Sequence, residues 1–344
     1  MTQNIRRNCR EKENLRVCPC HGHDPGPCCL RRKTDTPADS NTETPAETPN
    51  APSTAPETNV SSGEKLTIGI SVNSTSNEHN QQVFETSIAN GEARGHEVIS
   101  TNAGGVAAQQ ATDIENLIER GCNVIVIENG EADSLANVVA RAKERGIYVI
   151  SYESGWIDGC DAMFAVNNFS IGAQLYMQSC AKMGFKGNVI TLHHNGHPVN
   201  RANYYSMKAL MEEYTNIHEV NEGYTGWPGA TELAYSVVES ALMANPDVQA
   251  IWASNDLEAL GAMQACQATG HTDINIVGYD AEPDVLKVIK EGGQIIATAK
   301  TGYEQACETL IEVCEKMCYG EPYNTNYEIE CTVITADNVD DFLS

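Results

Sequence analysis

The sequence predicts an α/β protein built as two doubly wound lobes, each around a largely parallel sheet. Three observations carry this. Short β-rich apolar runs alternate with amphipathic helical stretches at intervals of about 25–35 residues. About ten strands are implied, more than one sheet of ordinary size usually holds. The chain is 344 residues long and 41% hydrophobic, enough to bury two cores.

The elements follow in order from Lys65. Leu66–Val72 reads as the first strand, followed by polar residues and a helix ending at Gly95. Residues 97–101 are the next strand, and Ala107 to Arg120 has helical spacing, with Ile114, Leu117 and Ile118 on one side. Residues 123–127 form an unbroken apolar run, the pattern of a parallel strand buried on both faces. Ser134 to Arg145 is a helix and residues 147–151 a strand; the rhythm recurs at 187–192, 248–253 and 274–279.

Charge and composition narrow the function. With 22 basic against 47 acidic residues the formal net charge is −25, which excludes binding nucleic acid through a general basic surface. No run of about 18 apolar residues is present to form a membrane-spanning helix. The first 33 residues are different: they are net basic, and Cys18, Cys20, His21, His23, Cys28 and Cys29 have the chemistry of zinc ligands. Their spacing fits no standard finger, and Pro19, Pro25 and Pro27 crowd it. The segment reads instead as a misread lipoprotein signal peptide, since a shifted frame through Cys28-Cys29-Leu30-Arg31 can encode a small-small-Cys-Gly cleavage site. Residues 34–64, rich in Thr, Pro, Glu and Ser with Val60 the one larger aliphatic residue, read as a disordered tether.

In open parallel sheets ligands bind beyond the carboxyl ends of the strands. That rule selects Asn73, Ser74, Asn77, Glu78, His79 and Asn80 after the first strand, then Glu128 and Asn129, Tyr152 and Glu153, His193 and His194, Asn255 and Asp256, and Asp280. Amides, carboxylates and imidazoles of this kind hydrogen-bond a compact polyhydroxylated ligand, and Trp227 can stack on the C–H face of a sugar. Other roles compete: Asn255 and Asp280 as helix caps, Glu153 as a solvated acid, Trp227 as a loop anchor, and His193, His194 and His197 as zinc ligands, although the intervening Asn-Gly reads as a turn. The expected site contains no metal and no cofactor. Cys314 and Cys318 lie one helical turn apart, where a disulfide rarely fits, and the domain's cysteines read as reduced, buried small hydrophobes.

From residue 65 to the end the chain resembles the ribose-binding-protein-like, type 1 periplasmic solute-binding proteins of ABC transporters. The resemblance rests on Leu66–Val72, on residues 149–153, and on 165–168 followed by Ile171 and Gly172. It rests further on 245–256 with 259–262, and on 276–280; the Asn255-Asp256 pair and the Val-Gly-Tyr-Asp segment ending at Asp280 are the specific part. It implies two lobes joined by three crossovers with a sugar held between them. The first lobe would comprise residues 65–167 and 302–326, the second 168–301 and 327–344. Residue by residue, Asn255 and Asp280 fall where the family binds ligand hydroxyls, Glu153 where a ligand-binding Asp is usual, Asn167 at the first crossover, and Trp227 near a stacking aromatic. There are departures: His79 and Asn80 replace aromatic rings in the first loop, Ser154 replaces an Arg, Arg201 and Asn203 compete for the place of another Arg, and Lys300 or Thr301 stands where Gln is common. The expected ligand-binding set is thus Asn73, Asn77, His79, Asn80, Glu153, Asn167, Arg201, Asn203, Trp227, Asn255, Asp280 and Thr301.

The function expected from this is capture of a monosaccharide or polyol by a monomeric extracytoplasmic protein, in the periplasm or lipid-anchored at the cell surface, and its delivery to an ABC permease. A sugar-sensing module for a chemoreceptor or sensor kinase, or a binder of a signalling furanose, is the alternative. A transcription regulator would need a basic helix-turn-helix ahead of the domain, which residues 34–64 do not supply. No nucleophile elbow, phosphate-binding loop or dinucleotide glycine pattern points to an enzyme.

Overall fold

The structure is a computed structural model, and it describes residues 60–343 apart from 195, 227 and 228. The expectations for residues 1–33, for most of the tether and for Trp227 lie outside the described residues. β1 (Thr67–Val72), α1 (Glu78–Ala93), β2 (Glu97–Asn102), α2 (Ala107–Glu119), β3 (Val124–Glu128), α3 (Ala132–Glu144), β4 (Tyr148–Tyr152) and β5 (Ala162–Ala165) build the first lobe. The chain crosses to the second lobe through α4 (Asn168–Lys182), β6 (Gly187–His193), α5 (Pro198–Glu213), β7 (Ile217–Tyr224), α6 (Ala230–Ala244) and β8 (Ala250–Ala253). That lobe continues with α7 (Asp256–Thr269), β9 (Asn275–Val277), α8 (Pro283–Lys290) and β10 (Ile295–Thr301). The chain returns to the first lobe for α9 (Tyr303–Cys318) and β11 (Asn326–Glu328), and ends in the second with β12 (Cys331–Thr335).

Each lobe holds a six-stranded sheet, ordered β11-β5-β4-β3-β1-β2 in the first and β12-β10-β9-β8-β6-β7 in the second. Every pairing is parallel except that of β12 with β10. The reading of two doubly wound α/β lobes therefore holds. At the centre of the first sheet, Val124–Ile127 is completely buried. Each such side chain contributes about 1.5–3 kcal/mol of transfer free energy, which is why a continuous apolar run, not an alternating one, marks this strand. On the solvent side of that sheet, Leu117 of α2 and Leu135, Val138 and Val139 of α3 join Ile125 and Ile127 in one cluster.

Two boundaries differ from expectation. β11 pairs with β5, and the Tyr327 ring stacks on Phe164 with centroids 4.5 Å apart. Tyr327 and Glu328 therefore belong to the first lobe, and the third crossover runs between Glu328 and Cys331; a three-residue edge strand carries too little pattern to be read from sequence. Val60 to Glu64, read as the end of the tether, are seated on the first lobe. The Val60 N–H donates to the Cys318 carbonyl at 3.2 Å and its side chain packs on the core, while the Tyr319 hydroxyl donates to the Glu64 carbonyl at 2.7 Å.

The eight cysteines among the described residues are free and seven are buried. Burial pushes the thiols of Cys122, Cys160 and Cys180 up to about 11 and those of Cys266 and Cys318 to about 12, so they pack as small apolar groups. Helices α6 and α7 approach closely at Gly261, where an added Cβ would stand 2.2 Å from the Thr231 carbonyl oxygen. Backbone cannot yield as a side chain does. Gly261→Ala is therefore expected to destabilise the protein by about 1–3 kcal/mol, read as a lower urea midpoint at unchanged slope.

Candidate binding cleft

The carboxyl ends of both sheets face one another across a cavity of about 230 Å³. The first lobe contributes Asn73, Ser74, Ser76, Asn77, His79 and Asn80 from the β1–α1 connection and the start of α1, Gly105 after β2, Asn129 and Glu131 after β3, and Glu153 after β4. The second contributes His194 and His197 after β6, Val199 and Asn200 at the start of α5, Tyr224 at the end of β7, Asn255 after β8, and Tyr279 and Asp280 after β9.

The polar residues on this wall are placed by helix caps and buried anchors. Asn77 caps α1, its Oδ1 accepting from the Asn80 N–H at 2.8 Å, which leaves its amide to donate to Asp280 Oδ2 across the cleft at 3.3 Å. Beside it the Glu78 N–H donates to Glu282 Oε1 at 3.0 Å, so the two lobes are bridged at this edge. Asn255 divides its functions in the same way. Its Oδ1 accepts from the Glu258 N–H at 2.9 Å as the cap of α7, while its Nδ2 is buried on the cavity wall with no protein partner. The capping reading of this residue holds through Oδ1 and leaves Nδ2 without a protein partner.

Asp256 and Glu258, by contrast, are structural. Asp256 is fully buried, receives the Thr298 hydroxyl and the Glu282 N–H, each within 2.9 Å, and its backbone N–H donates to Tyr279. Desolvation pushes its carboxyl up to about 7 even so. Glu258 accepts from Thr225 and from the Ser254 N–H and hydroxyl. Together the two acids fix the β8 and β9 ends that present Asn255 and Asp280.

Four of the five described non-glycine residues with positive φ cluster at these strand ends: Asn129 at 53°, Glu153 at 49°, Asp280 at 121° and Ala281 at 59°. Backbone in this region carries strain that surrounding packing must hold, and such strain concentrates where side chains are aimed at a site. Glu153 is 3% exposed and meets the Nε2 of buried His79 at 3.2 Å. Burial, reinforced by Asp256, Glu282, Glu153 and Glu258, pushes the Asp280 carboxyl well above the usual carboxylate range. His194 and His197 are shifted the other way by burial, His197 down to about 4.

Of the expected set, Asn73, Asn77, His79, Asn80, Glu153, Asn255 and Asp280 are brought together on this wall. Four others are not. Asn167 is exposed and caps α4, its Oδ1 accepting from the Ser170 N–H at 3.2 Å. Asn203 is completely buried one turn into α5 and donates to the Ser254 carbonyl at 3.3 Å; three residues earlier, Asn200 occupies the cavity wall. Arg201 is turned about 100° from Asn200 on the same helix and is not a lining residue. Thr301 is buried at the second crossover, off the cavity wall. Where an Arg was expected after Glu153, the Ser154 hydroxyl accepts from the Gly130 N–H at 2.7 Å and ties two strand ends together. Tyr224 and Asn200 were missed: β7 is a polar edge strand without a legible pattern, and the register of α5 sets which of Asn200, Arg201 and Asn203 reaches the cleft. His193, read as a ligand of sugar or metal, bonds Glu222 at 3.0 Å outside the lining.

Two parallel-sheet lobes, three crossovers and a polar cavity between the strand ends define a two-lobed solute-binding protein. The chain belongs to the family described as "Periplasmic binding protein domain", which matches residues 68–321. It is 30% identical over 275 residues to the D-xylose-binding periplasmic protein of Haemophilus influenzae, covering 77% of this chain and 81% of that one. It is 28% identical over 238 residues to the D-apiose import binding protein of Actinobacillus succinogenes, covering 67% and 76%. Among solved structures it is similar to an ABC sugar transporter subunit from Rhodobacter sphaeroides, with a TM-score of 0.75 and 27% identity over 79% of this chain and 99% of that one.

Proposed function

We propose that this protein is the extracytoplasmic solute-binding component of an ABC importer and that it captures a monosaccharide or polyol in the cleft. One observation carries the reading. The wall combines carboxylates, amides and imidazoles from both lobes, and four of its residues carry a buried polar atom with no protein partner, Asn73 Oδ1, His194 Nδ1, His197 Nε2 and Asn255 Nδ2. Buried polar atoms are ordinarily paired, so a set of them on residues that line one small cavity is matched to a ligand rich in hydroxyls. A volume of about 230 Å³ is below that of pockets for drug-sized molecules and suits a single sugar unit.

Asn73, Asn77, His79, Asn80, Glu153, Asn255 and Asp280 are the proposed contacts from the expected set, joined by Asn129, His197, Asn200 and Tyr224. Closure of the lobes, already bridged by Asn77–Asp280 and Glu78–Glu282, would present the paired surface to the permease, the ligand favouring the closed state by bridging both walls. The relatives are binding proteins, named for D-xylose and for D-apiose import, and a monomeric binder, not a catalyst, is the corresponding reading here. No helix among the described residues is long and apolar enough to cross a membrane; attachment through a lipid on the N-terminal region would hold the protein at the cell surface. The test is thermal unfolding of protein stripped of ligand by unfolding and refolding, against pentoses, hexoses, deoxy sugars, inositols and linear polyols, with amino acids as controls. Ligand at a hundred times its Kd adds about 2.7 kcal/mol, a shift of several degrees. No shift with any sugar or polyol would overturn the reading.

A further inference from the structure

The charge on the cavity wall is unbalanced. Glu131, Glu153 and Asp280 line it, and among the described residues no lysine or arginine does. Glu153 has His79 beside it, but the contact made by Asp280 is the neutral Asn77 amide, and the ionisable groups acting most strongly on it (Asp256, Glu282, Glu153 and Glu258) are acids. The nearest lysines lie off this wall: Lys287 and Lys300 line an adjoining pocket that Asp280 also borders, Lys300 sitting 3.8 Å from Glu304 and over the Tyr303 ring, and Arg201 is not on the wall. A carboxylate enclosed in this way is costly without a positive partner.

The wall also holds buried polar atoms without a protein partner. Burial and the neighbouring His194 push the His197 ring down to about 4, and its buried Nε2 has no protein partner. Asn73 Oδ1, on another residue of the same wall, is an unpartnered acceptor. A hydroxyl supplies one donor and no charge, whereas an ammonium supplies three donors and a full positive charge. Asn255 Nδ2, an unpartnered donor on a residue only 3% exposed, calls for an oxygen on the same ligand.

We propose that the cleft is selective for a polyhydroxylated ligand carrying one protonated amino group, an amino sugar or amino polyol, with its ammonium against Asp280 and its hydroxyls on Asn255 and the first-lobe amides. The proposal rests on the reading of the cleft as a sugar or polyol site and names the class within it.

The experiment is titration calorimetry on the stripped full chain with matched pairs: D-glucosamine, D-galactosamine, D-mannosamine and 1-amino-1-deoxysorbitol against glucose, galactose, mannose and sorbitol. The N-acetyl sugars serve as uncharged controls of similar shape. At least one amine is expected to bind more than about tenfold tighter than its neutral partner and its N-acetyl form, as a charge-assisted contact requires. Asp280→Asn, which keeps the shape and removes the charge, is expected to bring the members of that pair to within about threefold of each other. Neutral members binding as tightly as the amines, or more tightly, would overturn the proposal and leave the sugar-binding reading standing. An amine preference that survives Asp280→Asn would overturn the assignment to Asp280. No binding by any member, together with no thermal shift from any sugar or polyol, would remove both readings.

Discussion

Asp280→Ala should weaken ligand binding by roughly a hundredfold or more while the ligand-free protein unfolds no more readily than its parent. The first half follows from what the carboxylate offers: a hydrogen bond to a charged group is worth about 1.5–3 kcal/mol, and a carboxylate facing the cavity can accept two or more. The second half follows from the cost of the group when no ligand is present. Desolvation and a ring of acids push its pKa well above the ordinary value, so the folded protein gains nothing from an ionised Asp280 until a ligand arrives. Binding and stability should therefore move in opposite directions, which separates a site residue from a structural one. Calorimetry and urea unfolding on the same preparation decide it. Normal affinity in the variant would remove Asp280 from the site, and a large loss of stability would make it a structural acid like Asp256.

The second large effect concerns Glu128, at the end of β3 beneath the cleft floor. It is completely buried, and desolvation, with Glu153 adding to it and the Ser87 hydroxyl opposing, pushes its carboxyl from 4.5 up to about 8. A carboxyl whose folded pKa is raised binds its proton more tightly in the folded than in the unfolded state. It therefore costs nothing below the unfolded pKa, and stability falls as pH climbs from about 4.5 towards about 8, levelling off above that. The slope is about 1.4 kcal/mol per pH unit for one group. Glu128→Gln removes this titration, so the stability of the parent relative to the variant should decline by several kcal/mol across that window, measured by urea unfolding at a series of pH values. Asp256, raised to about 7, titrates in both proteins and cancels in the difference. Parallel pH profiles for the two proteins would show that Glu128 finds compensation in the folded state.

The two predictions draw on different kinds of information. That Asp280 belongs to the cleft was legible in the sequence, because a strand such as Ile274–Tyr279 ends in a short loop and the parallel topology sends every such loop to the same side. Asn73, Asn129, Glu153 and Asn255 follow by the same rule and are found on the wall. The environment that sets the behaviour of Asp280 and Glu128 was not legible, since it depends on which acids from distant segments surround them.

Local pattern by itself determined the sequence of strands and helices, the division into two doubly wound lobes and the end of each sheet at which the ligand site lies. Periodicity and burial of apolar runs are properties of short segments, and the carboxyl-end rule needs only strand direction. Tertiary structure alone decided the rest. It put Tyr327 and Glu328 on the edge of the first sheet through a ring stack that no periodicity signals, and it seated Val60 on the lobe through a backbone bond and the packing of its side chain. It chose Asn200 over Arg201 and Asn203 on α5, because the rotation of a helix about its axis is fixed by what it packs against. Above all, among the described residues it left the cavity wall without a lysine or arginine. Balance of charge in a site is a sum over residues far apart in the chain, so it exists only once the fold has gathered them.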